Sequence, residues 1–220
     1  MSWHPTPFQG KKDPFFFWDG SPRYSDFKSF NEKAQVCPFT LIETADVKQV
    51  EKYFAAHPAA LETRHVDFRY TLLHYAASLG KKDACVFLLN HIGIEDKADD
   101  GTTPLLSAVH GYNPAVVRLF LDKGADVQAA NDTGETPLLA TVRARGFGVR
   151  VPGRYDDPVI DLLLAYGADM NAADKNGVSP ISLSIEKDDT YLLSVFTVHD
   201  PKTVFSFARK AAALPAPKPA

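Results

Sequence analysis

Seven histidines, two cysteines and 27 carboxylates are the groups in this 220-residue chain with which chemistry would be done. The histidines (His4, His57, His65, His74, His91, His110 and His199) are scattered. No H-E-x-x-H places two imidazoles one helical turn apart, and no Cys–His spacing suits zinc. Asp99-Asp100-Gly101 starts like a calcium loop but does not extend to one. There is no phosphate-cradling P-loop and no G-x-S-x-G nucleophile turn. Gly146-Phe147-Gly148 lacks the third glycine and the preceding strand that a dinucleotide site requires. The expectation is therefore no metal, no cofactor and no catalytic residue. Asn131-Asp132-Thr133 fits a glycosylation sequon, but reads first as a turn. What stands out instead is a composition suited to contact. Arg143 to Asp157 reads RARGFGVRVPGRYDD, four arginines and three glycines with Phe147 and Tyr155. Arginine and tyrosine dominate binding hot spots, so Arg143, Arg150, Arg154 and Tyr155 are candidate partner-binding residues. A tolerated surface insertion is the plainer alternative.

The elements that must hold such residues are spelled out most clearly from Gly101 to Thr136. Thr103-Pro104 starts a helix, the hydroxyl capping it and the proline filling a first position where no N–H is needed. Asn113-Pro114 is expected to start a second helix by the same device. Val116, Val117, Phe120 and Leu121 are spaced to line one face of it, and Gly124 supplies the left-handed residue that stops it. Asn131-Asp132-Thr133-Gly134 turns the chain back into Thr136-Pro137-Leu138, where the pattern recurs.

This stretch resembles the ankyrin repeat, whose signature is a G-x-T-P-L-H start and an L-L-x-x-G-A-D end. Gly101-Thr102-Thr103-Pro104-Leu105, Gly134-Glu135-Thr136-Pro137-Leu138, Gly124-Ala125-Asp126 and Gly167-Ala168-Asp169 carry the resemblance. It implies an all-α solenoid of about five stacked helix-turn-helix repeats with β-hairpin fingers. The expected units are about 35–66, 67–97, 98–130, 131–173 with an insertion of ten extra residues within 146–156, and 174–200. The first carries a capping box, Asp46 with Gln49. The second carries Thr71-Leu72-Leu73-His74, where the resemblance implies a histidine that bonds between loops. In the fourth, Asp157-Pro158 restarts the second helix after the insertion. The fifth is degenerate. The resemblance also covers LLAYGADMN, Leu163 to Asn171, where some family members carry an asparagine modified by hydroxylases; Asn171 reads here as a finger stabiliser.

Residues 1–34 lie outside the pattern, aromatic and proline-rich (Trp3, Phe15, Phe16, Phe17, Trp18 among them). They are expected to cover the open end of the first repeat, since terminal units must be capped; an exposed anchor for a partner is the alternative. Asp200-Pro201 is expected to cap a closing helix over 201–214, followed by a disordered tail at 215–220. Cys37 and Cys85 are expected as reduced thiols inside the core. From Val36 to Asp200 there are 15 basic and 23 acidic residues, and an acidic body argues against nucleic acid, which needs a basic face. No run approaches the ~18 apolar residues of a membrane helix. The expected place is the cytoplasm, with export and a removed leader as the alternative.

The family's binding side is the concave face of fingers and first helices. Carried onto this chain, it comprises Phe68, Tyr70, Asp99, Asp100, Thr102, His110, Asp132, Glu135 and Arg143, an aromatic-plus-acidic groove for a basic partner. Packing of Phe68 and Tyr70 between fingers is the alternative. The function so implied is non-enzymatic binding of one protein partner, an enzyme among the candidates, by a chain monomeric on its own, so as to inhibit, mask or neutralise it. An immunity-type inhibitor and an effector both fit. An enzyme or small-ligand binder built on the insertion, and a structural subunit of an assembly, are the other two readings.

Overall fold

The computed structural model describes residues 37–65, 68–145 and 157–200. The aromatic segment 1–34, the insertion 146–156, the closing helix 201–214 and the tail 215–220 lie outside the described residues. Within them are ten α-helices: α1 (Pro38–Thr44), α2 (Val47–Ala56), α3 (Leu72–Ser78), α4 (Lys82–Leu88), α5 (Pro104–His110), α6 (Pro114–Asp122), α7 (Pro137–Arg145), α8 (Pro158–Ala165), α9 (Pro180–Glu186) and α10 (Thr190–His199). They form five antiparallel pairs. The first helices, α1, α3, α5, α7 and α9, pack side by side in one layer, and α2, α4, α6 and α8 pack in a second.

The helix starts follow from local chemistry. Thr103 accepts from the Leu106 N–H at 3.2 Å, with Pro104 at the first position. Ser179, Asp157 and Asp46 do the same at α9, α8 and α2, and Asp46 with Gln49 completes the expected capping box. Gly124 stops α6 with φ +87°, a left-handed conformation that costs glycine little.

Asn113 departs from expectation. It stands at the N-cap of α6 but makes no side-chain bond to that helix. Its amide instead donates to the Ala77 and Ser78 carbonyls at 3.1 and 2.8 Å. These are end carbonyls of α3, beyond the reach of its own i→i+4 bonds; Ala77 also accepts from the Gly80 N–H at 3.1 Å. Gly111 makes the approach possible: a Cβ there would sit 2.2 Å from the Ser78 oxygen. Asn113 thus ties one helix pair to the one before it. Replacing it with alanine leaves the Ser78 carbonyl without its donor, while Ala77 keeps the Gly80 N–H, so Asn113→Ala is expected to lower stability by about 1–2 kcal/mol and Tm by roughly 4 °C, measurable by thermal unfolding.

The core repeats like the helices do. Leu73, Leu105, Leu138 and Ile181 occupy equivalent places in α3, α5, α7 and α9, and Leu88, Phe120, Leu163 and Phe196 in the outer helices; all eight are buried. Each fully buried side chain of this size contributes about 1.5–3 kcal/mol. No pair could shield this stripe alone, so stacking is obligatory. Cys85 lies in this core, where burial pushes its thiol up to about 12. Cys37 is only half-buried, at the start of α1, rather than inside the core.

The fingers are turns rather than the β-hairpins expected. The described residues hold one isolated bridge, Arg64 with Thr71, and no strand. In fingers three, four and five two backbone bonds close each loop: the N–H of Ala98, Asn131 and Asp174 donates to Thr102, Glu135 and Val178, and their carbonyls accept from Gly101, Gly134 and Gly177. With a single residue between the far end of each loop and the next helix, no ladder can extend there.

Candidate partner-binding face

Successive fingers, two (65–70), three (98–102), four (131–135) and five (174–178), are joined tip to tip by one backbone bond each. The Asp99 N–H donates to Phe68, Asp132 to Asp100 and Lys175 to Thr133, at 2.8–2.9 Å. The tips therefore form a continuous row. Arg69, Asp99, Asp132, Thr133, Lys175 and Asn176 stand exposed along it.

Beneath the tips lies His74, fully buried in α3. Its Nδ1 accepts from the Thr71 N–H at 3.1 Å, so the proton sits on Nε2, which donates to the Thr102 carbonyl at 2.9 Å. This is the bond between loops that the resemblance implied. Burial is the main reason its pKa falls to about 4.

Tyr70 is also buried, 4% exposed, its ring edge-on to His74 and tilted against Phe68. Its hydroxyl donates to Asp100 at 2.9 Å. Phe68 is half-buried. The pair is packed between fingers, so it offers a partner little aromatic surface. Thr102 is buried too.

Farther along, Arg143 on α7 reaches across two fingers. One guanidinium nitrogen donates to Glu135 at 2.8 Å and another to Asp174, whose carboxylate is 1% exposed. His110 on α5 meets the other Glu135 oxygen at 3.3 Å. Burial works to raise the Asp174 carboxyl, but the Val178 N–H, Arg143 and the Asn176 N–H outweigh it and hold the group below its usual range. Glu135 is likewise held low against its burial by His110 and Arg143. Ser107, three residues before His110, could suggest a nucleophile. Its hydroxyl is buried and has no bond to that imidazole, so the geometry of a Ser–His pair is missing.

Of the residues singled out from sequence, Asp99, Asp132 and His110 are exposed on this face. Asp100, Glu135 and Arg143 are half-buried and engaged within the protein. Arg150, Arg154 and Tyr155 lie outside the described residues. Sequence reasoning missed Arg69 and Asp174, and read Asn113 as a helix start. Asp174 carried a signal, since Asn131-x-x-Gly134 and Asp174-x-x-Gly177 repeat one pattern.

Among the described residues no helix is long and apolar enough to cross a membrane, and no His, Cys, Asp or Glu group could hold a metal ion. The family model described as "Ankyrin repeats (3 copies)" matches residues 41–131 and 73–174. A putative ankyrin repeat protein of Acanthamoeba polyphaga mimivirus is 36% identical over 70 residues, 30% of this chain and 43% of that protein. Protein phosphatase 1 regulatory subunit 27 of Mus musculus is 35% identical over 98 residues, 44% of this chain and 62% of that protein. Diacylglycerol kinase iota of Mus musculus is 39% identical over 71 residues, 30% of this chain and 7% of that protein. The chain spans less than two thirds of the length of each of these relatives.

Proposed function

Because the chain belongs to the ankyrin-repeat family, we propose that it binds one partner protein through the finger row and controls that partner's activity without catalysis of its own. The observation that carries this is the contrast between scaffold and tips. Equivalent core positions keep the same kind of residue, while the exposed tip side chains do not: Asp99 and Asp132 give way to Lys175 at one equivalent position, and Arg69 stands where the other fingers have glycine. The tip side chains are not needed to fill the core, so they are available to a partner.

Asp99 and Asp132 sit at the middle of the row, and the chain's body is acidic. The partner surface is therefore basic at its centre. Control of an enzyme is the form of regulation we infer, supported by the likeness to a phosphatase regulatory subunit. A protein phosphatase catalytic subunit is the first partner class to test. The insertion with Arg150, Arg154 and Tyr155 supplies a second set of contacts in this reading.

The test is affinity capture followed by binding measurements with the purified partner. Reversing the central charges, Asp99→Lys with Asp132→Lys, is expected to weaken binding at least about tenfold and to flatten its salt dependence. Unchanged affinity with both charges reversed would rule out the finger row. Deleting the ten inserted residues, with folding retained, measures the loop's share.

A further inference from the structure

We propose that fingers two and three form one coupled contact unit, with Tyr70 as its positioning residue acting through Asp100. In fingers four and five the residue that opens the turn itself accepts the turn's N–H groups. Asn131 Oδ1 accepts the N–H groups of Thr133 and Glu135, both at 3.0 Å. Asp174 Oδ1 accepts those of Asn176 and Val178 at 2.8 and 2.9 Å. The equivalent residue in finger three is Ala98, fixed as equivalent by the matching backbone bonds from Ala98 to Thr102, Asn131 to Glu135 and Asp174 to Val178. Alanine has no acceptor, so the Thr102 N–H lacks the partner that its counterparts have.

Asp100 takes over. Its Oδ1 accepts the Thr102 N–H at 3.0 Å, and its Oδ2 accepts the Tyr70 hydroxyl at 2.9 Å. Tyr70 belongs to finger two and is buried, with its ring fixed against His74. It therefore holds the carboxylate that holds finger three. The same two fingers share the Asp99-to-Phe68 backbone bond and the exposed Arg69–Asp99 pair at 3.8 Å. Arg69 sits at φ +52°, where fingers three, four and five have glycine. Its N–H bonds to His65, and its carbonyl accepts from Arg64 at 3.2 Å. The left-handed conformation is thus imposed by neighbours on both sides, as a strained non-glycine residue requires. A partner docking here meets a cation and an anion already placed side by side.

This inference rests on the finger-row reading for its functional meaning, but its test needs no partner. Amide hydrogen exchange on the full chain reads each finger separately. Tyr70→Phe keeps the ring and removes only the hydroxyl. It is expected to speed exchange at Thr102 about tenfold, with Glu135 and Val178 unchanged. Adding Ala98→Asn, which supplies the acceptor of the other fingers, should return Thr102 to its original protection. Unchanged Thr102 exchange in Tyr70→Phe overturns the proposal. So does a uniform rise at Thr102, Glu135 and Val178, or failure of Ala98→Asn to restore protection in a folded chain. Since partner affinity is measured separately, loss of the docking reading would not be confused with loss of the coupling.

Discussion

Arg143→Ala is expected to destabilise the protein by about 3 kcal/mol, lowering Tm by roughly 10 °C. The guanidinium is the shared counter-charge of two carboxylates in different fingers, and Asp174 is almost wholly enclosed. Removing one member of such a group leaves the other charge buried, which is worse than never having had the pair. The double variant Arg143→Ala with Asp174→Asn should recover part of the loss. Asparagine keeps an oxygen for the Asn176 and Val178 N–H groups and removes the stranded charge. Chemical denaturation of the four members of this cycle measures it, and a single-variant effect within about 0.5 kcal/mol would overturn the argument.

The pH dependence has a definite sign. Both carboxyls are held below their usual values in the folded state. Their contribution is fully present above the unfolded carboxylate range and is lost as pH falls through the lowered folded values. In Arg143→Ala the arginine's share of that support is gone, while the Val178 and Asn176 N–H groups and His110 keep theirs, so there is less to lose on acidification.

His74→Leu gives the second large effect. The imidazole bonds Thr71 below and Thr102 in the neighbouring finger, fully out of solvent. Leucine fills the space but returns neither bond, and about 2–3 kcal/mol should be lost at pH 7. The more discriminating result is the pH profile. An unfolded histidine titrates near 6.5 and this one at about 4, so the unfolded chain binds the extra proton first. Stability is full above about pH 6.5 and falls as the pH drops towards 4, by roughly 3 kcal/mol in all. Subtracting the His74→Leu profile from the wild-type one should isolate this loss, because the carboxylate losses come at lower pH. A flat difference between pH 7 and 4.5 would show that His74 takes up its proton as readily in the fold as in the unfolded chain.

What could be read from the sequence follows from the range of each bond. Caps such as Thr103-Pro104, Asp157-Pro158 and the Asp46–Gln49 box join residues two or three apart, so residue order alone reveals them. The core was legible for the same reason, through the spacing of Val116, Val117, Phe120 and Leu121. Asn113, Tyr70 and Arg143 were misjudged or left incomplete because their partners lie some 30 positions away and meet them only when pairs stack. Asn113 looked like a cap because its type and its place before proline suit one. Only the close approach of Ser78, permitted by Gly111, turns its amide elsewhere. Tyr70 read either as a groove aromatic or as packed between fingers, and only stacking puts its ring below the row.

The sameness of the buried stripe has an evolutionary corollary. Leu73, Leu105, Leu138 and Ile181 answer to their neighbours in the stack, while Arg69, Asp99, Asp132 and Lys175 answer mainly to whatever lies outside. Drift at those four tips can redirect the protein to another target with the interior left untouched. Descendants of one ancestor would then keep a common skeleton while losing any shared clientele.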